Sequence, residues 1–63
     1  MADVTVEKMI TEIMTHHDWS QQEFADHFKI QASQVTRWLK GKTRPNYDNL
    51  MMITDAYNKI KTA

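Results

Sequence analysis

Five basic side chains lie close together in the middle of the chain, and no acidic residue separates them. They are Lys29, Arg37, Lys40, Lys42 and Arg44. Lysine and arginine neutralise phosphates, and arginine also pairs with guanine through two parallel hydrogen bonds. The uncharged polar side chains of the same stretch can hydrogen bond to phosphates or base edges. These are Gln31, Ser33, Gln34, Thr36 and Thr43. The segment therefore has the residue types for contact with nucleic acid.

The net charge of the 63-residue chain is zero, which by itself argues against a nucleic-acid partner. The charges are segregated, however. Residues 1–28 contain six acidic side chains and one basic side chain, whereas residues 29–44 contain five basic and none acidic. A local positive surface on an acidic body suits a selective binder better than an indiscriminate one. The same charges could also belong to an ordinary solvated surface. Without a helix pattern that groups them, this second interpretation would be preferred.

Local signals predict that a short helix, helix 2, begins just before the basic segment. Ser20 and Glu23 have the spacing of a capping box, in which each side chain accepts a hydrogen bond from the other residue's backbone N–H. Trp19 and Phe24 flank that start at the spacing of a hydrophobic staple. Helix 2 is therefore predicted to begin directly after Ser20.

A second short helix, helix 3, is predicted over about residues 31–40. Val35, Trp38 and Leu39 recur at the i, i+3, i+4 spacing of one helix face. Gly41 is predicted to end the helix, because glycine takes the left-handed conformation most easily. The remaining face of helix 3 carries the polar and basic residues, so the pattern turns them away from the core.

A longer helix is predicted on each side of this pair. Helix 1 has Thr5 or Asp3 as its cap, and its apolar stripe is expected to continue into the core through His17. The stripe itself consists of Val6, Met9, Ile10, Ile13 and Met14, whereas Glu7, Lys8, Glu12 and Thr15 are expected to face outward. Helix 4 has Asn46 as its cap. Its apolar positions are Leu50, Ile53, Tyr57 and Ile60.

An ordered set of residues across these helices resembles a known family. The set is Ser20-Gln21-x-Glu23-Phe24-Ala25, then Ile30, Val35, Arg37-Trp38 and Gly41-Lys42-x-Arg44-Pro45. It is similar to the Cro/C1-type helix-turn-helix, also called the XRE family of DNA-binding regulators. The resemblance implies a compact all-α bundle of four or five helices, lambda repressor-like, forming a single domain over residues 1–63. It also suggests a bacteriophage Cro-like regulator.

The resemblance implies that helix 3 enters the major groove of double-stranded DNA. The residues it places against DNA are Gln21, Gln31, Ala32, Ser33, Gln34, Thr36, Arg37, Lys40, Lys42, Thr43 and Arg44. It assigns Gln21 to a phosphate contact and to support of helix 3. Arg37 is the first choice for a bidentate contact to guanine, and Ala32 for contact with a thymine methyl group. Gln21 would otherwise be an exposed first-turn residue, and Arg37 a surface arginine lying over Trp38.

Two positions depart from the family pattern. Lys29 stands where the family usually has glycine, and a left-handed conformation there would cost lysine roughly 1–2 kcal/mol. Leu39 stands where many members have a glutamate paired with an arginine in helix 1. The helix-1 counterpart here is Met14, so a packed Met14–Leu39 contact is predicted in place of an ion pair.

The sequence gives no reason to expect an enzyme, a cofactor, a metal or a small-molecule ligand. It has no cysteine, no paired-carboxylate cleft, no nucleophile–base pair and no phosphate-cradling glycine loop. His16 and His17 are adjacent and project about 100° apart on a helix, so with His27 they are expected to be structural or solvated. No signal peptide and no long apolar run are present, so a cytoplasmic, nucleoid-associated protein without a membrane contact is expected.

Three functional interpretations compete. A single module buries only about 600–1,000 Å² on DNA, so a repressor is expected to bind as a homodimer to two half-sites about 10 bp apart. The alternatives are an antitoxin-like protein and a helical adaptor, whose main partner in both cases is another protein. Helix 4 has more apolar surface than one stripe needs, at Tyr47, Met51, Met52 and Tyr57. This surplus serves either self-association or the filling of gaps in a small core.

Overall fold

Residues 5–62 form four helices in the computed structural model, which describes this part of the chain. The helices are α1 (Val6–His17), α2 (Gln21–Phe28), α3 (Ala32–Leu39) and α4 (Tyr47–Thr62). The all-α prediction is confirmed with four helices, and no fifth helix occurs within residues 5–62. α1 packs against α4 and α3, and α2 packs against α3.

Side-chain caps fix where three of the helices begin. The Thr5 hydroxyl accepts a hydrogen bond from the Lys8 N–H at 3.1 Å and caps α1. The other candidate for this cap, Asp3, lies outside the described residues. The predicted capping box of α2 is present, since the Glu23 N–H donates to Ser20 Oγ and the Ser20 N–H donates to Glu23 Oε1. The Asn46 side chain caps α4 as predicted.

The first three helices end in the same way, with one residue in the left-handed conformation. These residues are Asp18 (φ 58°), Lys29 (φ 60°) and Gly41 (φ 74°). In each case the next N–H donates to the carbonyl five residues back, the bond that defines a Schellman motif. The bonds are Trp19 to Met14 at 2.8 Å, Ile30 to Ala25 at 2.9 Å and Lys42 to Arg37 at 3.0 Å. Lys29 therefore has the positive φ for which the family usually places glycine, and the turn keeps the geometry that costs lysine energy.

All four helices contribute to one small core. Its buried side chains are Met9, Ile10, Ile13, Phe24, Ala25, Val35, Trp38 and Ile53. The predicted apolar faces of α1 and α3 are thus confirmed, with Val6, Met14 and Leu39 only partly buried. Met14 and Leu39 are both half-buried against this core and line the same surface depression, as the predicted replacement of an ion pair requires.

Two expectations for α1 are wrong. His17 is exposed and does not continue the buried stripe. The chain turns away at Asp18, so the His17 ring stacks on the half-buried Trp19 ring instead, with centroids 4.2 Å apart. Glu12 does not simply face outward, because the neighbouring end of α4 reaches it. Its carboxylate accepts a hydrogen bond from Lys61 Nζ at 2.8 Å and a longer one from the Tyr57 hydroxyl at 3.4 Å.

No helix in the described part of the chain is long and apolar enough to span a membrane.

Candidate nucleic-acid interface

The candidate interface begins at the first turn of α2. The capping box holds that turn in place, and Gln21 is its first residue and is exposed. The hydroxyl of Thr36 on α3 donates a hydrogen bond to Gln21 Oε1 at 2.6 Å. This bond connects the start of α2 to the middle of α3. It gives Gln21 a direct structural connection to the exposed side of α3.

The hydrogen bond also determines what the Gln21 side chain can still do. The Thr36 hydroxyl has one proton and lies 2.6 Å from Gln21 Oε1 but 3.2 Å from the Ala32 carbonyl. The shorter contact takes the proton, so the Gln21 oxygen accepts one hydrogen bond and is held against α3. The amide nitrogen keeps two donors. Bidentate reading of adenine needs the oxygen and the nitrogen together at the base edge, so this orientation favours donation by the nitrogen to a phosphate oxygen.

The exposed face of α3 holds the central group of predicted residues. Ser33, Gln34, Arg37 and Lys40 are exposed, whereas Val35 and Trp38 are buried. Successive helical residues turn by about 100°, so Ser33, Arg37 and Lys40 share the side opposite the core. The predicted division of helix 3 into an apolar inner face and a polar outer face is therefore present.

The first turn of α3 is less uniform than the sequence pattern indicates. Gln31 is the exposed residue that precedes the helix, and its side chain makes no capping hydrogen bond to the backbone. It accepts a long hydrogen bond from the Ser33 hydroxyl, at 3.5 Å. Ala32 is half-buried and packs against the core. Only part of the Ala32 surface is thus available to a thymine methyl group.

The loop after α3 carries the remaining predicted residues. Lys42, Thr43 and Arg44 are all exposed. The Lys42 N–H bonds to the Arg37 carbonyl, which fixes the start of the loop against the end of α3. Thr43 and Arg44 instead line a surface depression that they share with the start of α1, including Glu7. The structure therefore connects Lys42 closely to α3 and places Thr43 and Arg44 towards α1.

The basic residues of this region are free of ion pairs within residues 5–62. The two ion pairs of that range both use lysines of α4, Lys59 with Asp55 and Lys61 with Glu12. Lys29, Arg37, Lys40, Lys42 and Arg44 are not among them. A cation without an internal partner is available to a phosphate group. This part of the surface can therefore attract a polyanion despite the zero net charge of the chain.

The three histidines gather near the other end of α2. The His17 and His27 rings lie 4.2 and 4.6 Å from the Trp19 ring, between centroids, and the His16 ring lies 4.9 Å from that of His17. In the part of the chain that the structure describes, no three His, Cys, Asp or Glu side chains are grouped in a way that could hold a metal ion. The contacts seen for these histidines are aromatic ones.

The sequence analysis did not anticipate the role of Thr36 as the partner of Gln21. The two residues are fifteen positions apart and belong to different helices. Their contact depends on the angle between α2 and α3, which no local spacing reveals. The resemblance assigned Gln21 to the support of helix 3 but did not identify Thr36 as its partner.

Comparison with known proteins gives one match. A family model described as helix-turn-helix matches residues 10–62, which include most of α1 and all of α2, α3 and α4. No curated protein and no solved structure matches the chain.

Proposed function

The chain belongs to the Cro/C1-type helix-turn-helix family of DNA-binding regulators, and from this premise we propose that it binds duplex DNA sequence-specifically and represses transcription as a homodimer. α3 enters the major groove of one half-site, and a second copy binds the other half of an inverted repeat. The observation that carries the proposal is the exposed outer face of α3, which together with the turn before it and the loop after it carries five basic residues without internal ion pairs.

The contacts divide into those that read bases and those that hold the backbone. Arg37 lies on the outer face of α3 and donates two hydrogen bonds to guanine O6 and N7. Ser33 and Gln34 lie one turn earlier and reach base edges or phosphates. Gln21 donates to a phosphate at the start of α2, where the free N–H groups and the helix dipole also favour an anion. Lys40, Lys42, Thr43 and Arg44 hold the phosphates on either side.

Repression follows from occupancy. A bound dimer covers at least one turn of DNA on one face, since the centres of its half-sites are about 10 bp apart. When that turn lies within a promoter, the bound protein excludes RNA polymerase from it. The protein then acts in the cytoplasm on chromosomal or phage DNA. No contact with polymerase itself is needed for this mechanism.

A protein as the main partner is the second candidate function, either for an antitoxin that still binds DNA or for an adaptor that binds protein and no DNA. The observation that favours it is the exposed apolar surface at the start of α4, where Tyr47 and Met51 are 74% and 54% exposed. The dependence of binding on salt separates the two functions. Phosphate binding releases counterions and weakens steeply with salt, whereas an apolar protein contact does not.

Two matched alanine variants test whether Arg37 reads bases and Lys42 holds phosphates. Arg37→Ala should bring the affinities for different duplexes closer together, with a loss of roughly 1–3 kcal/mol confined to sites with the preferred base. Lys42→Ala should lower the affinity for all duplexes evenly and reduce the slope of log K against log salt by about 1. Fluorescence anisotropy with a panel of labelled duplexes at several salt concentrations measures both effects. Equal affinity of the wild-type protein for every duplex would overturn sequence-specific binding.

A further inference from the structure

One carboxylate lies beside the basic loop that follows α3. Glu7 is exposed in the first turn of α1, and its Oε2 atom lies 4.0 Å from the position that a Cβ atom on Gly41 would occupy. The Glu7 side chain also lines the surface depression that contains Thr43 and Arg44. Residues 29–44 contain no acidic side chain of their own. Folding therefore brings a negative charge from α1 to the edge of the candidate interface.

This carboxylate is not neutralised within residues 5–62. Neither ion pair of that range includes Glu7, and no hydrogen bond there is made to its carboxylate oxygens. The bond that Glu7 does accept, from the Thr11 hydroxyl, is made to its backbone carbonyl. Arg44 lines the same depression but forms no ion pair with Glu7. The negative charge of Glu7 is thus left to act on a third group that enters the depression.

The end of the loop has the donors that attract such a group. The N–H groups of Gly41 and Lys42 are used in ending α3, whereas those of Thr43 and Arg44 donate to no backbone carbonyl within residues 5–62. Free backbone N–H groups and an arginine are donors to phosphate oxygens. A phosphate held by them lies in the depression that Glu7 lines, where two negative charges repel each other.

We propose that Glu7 opposes phosphate binding by this loop and thereby limits the affinity of the protein for DNA. The inference rests on the proposed function for the identity of the polyanion, and it adds a residue of α1 that regulates the contact. Phosphates carry the same charge whatever the base sequence, so Glu7 lowers the affinity for all duplexes by one factor. Bound copies therefore leave DNA of any sequence more readily.

A purely structural role for Glu7 leads to the opposite expectation. An acidic residue in the first turn of a helix is favoured by the helix dipole, so removal of its charge slightly destabilises α1. A less stable α1 gives no reason for tighter binding to DNA. Glu7→Gln separates the two roles, because glutamine keeps the length of the side chain and removes the charge. Urea unfolding followed by circular dichroism measures the structural effect on its own.

The first test compares DNA affinities at several salt concentrations. Glu7→Gln should bind every duplex about 2- to 5-fold more tightly at low salt, the size of an exposed charge interaction, and the gain should shrink as salt screens the charges. Stopped-flow fluorescence should show the gain mainly in the association rate. Asp55→Asn is the matched control, since Asp55 lines a different depression beside the three histidines. It should gain less than about half as much.

A double-mutant cycle then tests whether Glu7 acts through the loop. Glu7→Gln should gain less in an Arg44→Ala background than in the wild type, because the phosphate is then held less firmly beside Glu7. Lys29→Ala is the matched background. It also removes one cation, but from the turn before α3, and the eight residues of α3 extend over about 12 Å. An equal gain in both backgrounds would overturn the action of Glu7 on the loop.

Retention on heparin separates this inference from the proposed function. Heparin is a sulfated polyanion without bases, so it responds to the charge of the loop even when no DNA sequence is recognised. Glu7→Gln should elute at higher salt than both the wild type and Asp55→Asn. Earlier elution, weaker DNA binding, or a gain no larger than that of Asp55→Asn overturns the inference, even when the wild type binds DNA specifically. A wild type without affinity for any duplex contradicts the proposed function, and elution from heparin then decides the inference alone.

Discussion

At the scale of single residues, one hydroxyl group orients a neighbouring side chain. Thr36 was predicted as a DNA contact, and in the structure its hydroxyl donates a hydrogen bond to Gln21 Oε1 at 2.6 Å. Its hydroxyl can accept a hydrogen bond from DNA but no longer has a free proton to donate. We therefore expect Thr36 to act mainly by orienting Gln21.

Replacing Thr36 with valine tests this role, because valine keeps the shape and removes the hydroxyl. The variant should bind its preferred DNA about 2- to 5-fold more weakly, which corresponds to roughly 0.5–1 kcal/mol, the lower part of the range for one hydrogen bond. Gln21→Ala should then cost less when combined with Thr36→Val than it does alone. DNA titrations of the four proteins in this cycle measure the coupling.

Thr11→Val is the control for that experiment. Thr11 also bonds to the carbonyl four residues earlier, that of Glu7, but lies on α1 and is not among the predicted DNA contacts. It should leave DNA affinity unchanged. An equal effect of Gln21→Ala in the wild type and in the Thr36→Val variant would mean that the two side chains do not act together.

At the scale of elements, helix ends were the most predictable features because their signals are local. Ser20 with Glu23, Asn46 and Gly41 all act as their spacing predicted. Contacts between helices were not predictable in the same way. Nothing within α1 indicates that Lys61 reaches Glu12, and nothing near Gln21 indicates Thr36, because both contacts depend on how helices cross.

The backbone of Lys29, in the turn between α2 and α3, is strained, and glycine at this position would remove the strain. Its φ of 60° costs a residue with a Cβ atom about 1–2 kcal/mol, whereas glycine loses about 0.5–1 kcal/mol through chain entropy. Lys29→Gly should therefore stabilise the protein by up to roughly 1 kcal/mol. Urea unfolding followed by circular dichroism measures this as a higher midpoint with an unchanged slope.

Lys29→Ala is the matched variant, since it removes the same charge and keeps the Cβ atom. Its stability should stay within about 0.5 kcal/mol of the wild type. A glycine variant no more stable than the alanine variant would show that the left-handed turn carries no strain in this protein.

The contact between α1 and α4 should make stability depend on pH in acid. The hydrogen bond from Lys61 lowers the pKa of Glu12 below its ordinary value of 4.5. Because the folded state lowers this pKa, the contribution of Glu12 is complete above 4.5 and is lost as the pH falls through the lowered value. Unfolding of the wild type and Glu12→Gln should therefore differ at neutral pH and converge as the pH falls from 4.5 through the lowered pKa of Glu12.

Asp55→Asn provides the comparison for that measurement. Asp55 pairs with Lys59 at 3.3 Å within the same helix, and both side chains are highly exposed. Exposed pairs of this kind contribute little, so the variant should unfold like the wild type throughout. A constant difference between wild type and Glu12→Gln across the acid range would contradict the ion pair between α1 and α4.

At the scale of the whole molecule, the segregation of charge could be predicted from the sequence, but its function could not. The zero net charge conceals a surface where five cations have no internal partner within residues 5–62. The all-α bundle followed from helical spacing and the resemblance, and the structure confirmed it with four helices. The mode of assembly could not be predicted from spacing, because surplus apolar residues in a sequence look the same whether they fill a core or bind a partner.

Selection of binding sites from random duplex DNA, with the purified chain at low and near-physiological salt, tests the central claim most directly. The proposed function predicts an enriched inverted repeat whose half-sites have centres about 10 bp apart. A single enriched half-site would leave specific binding in place and contradict the homodimer. No enrichment at either salt concentration, from a protein that circular dichroism shows to be helical, would contradict the DNA-binding function and favour a protein partner.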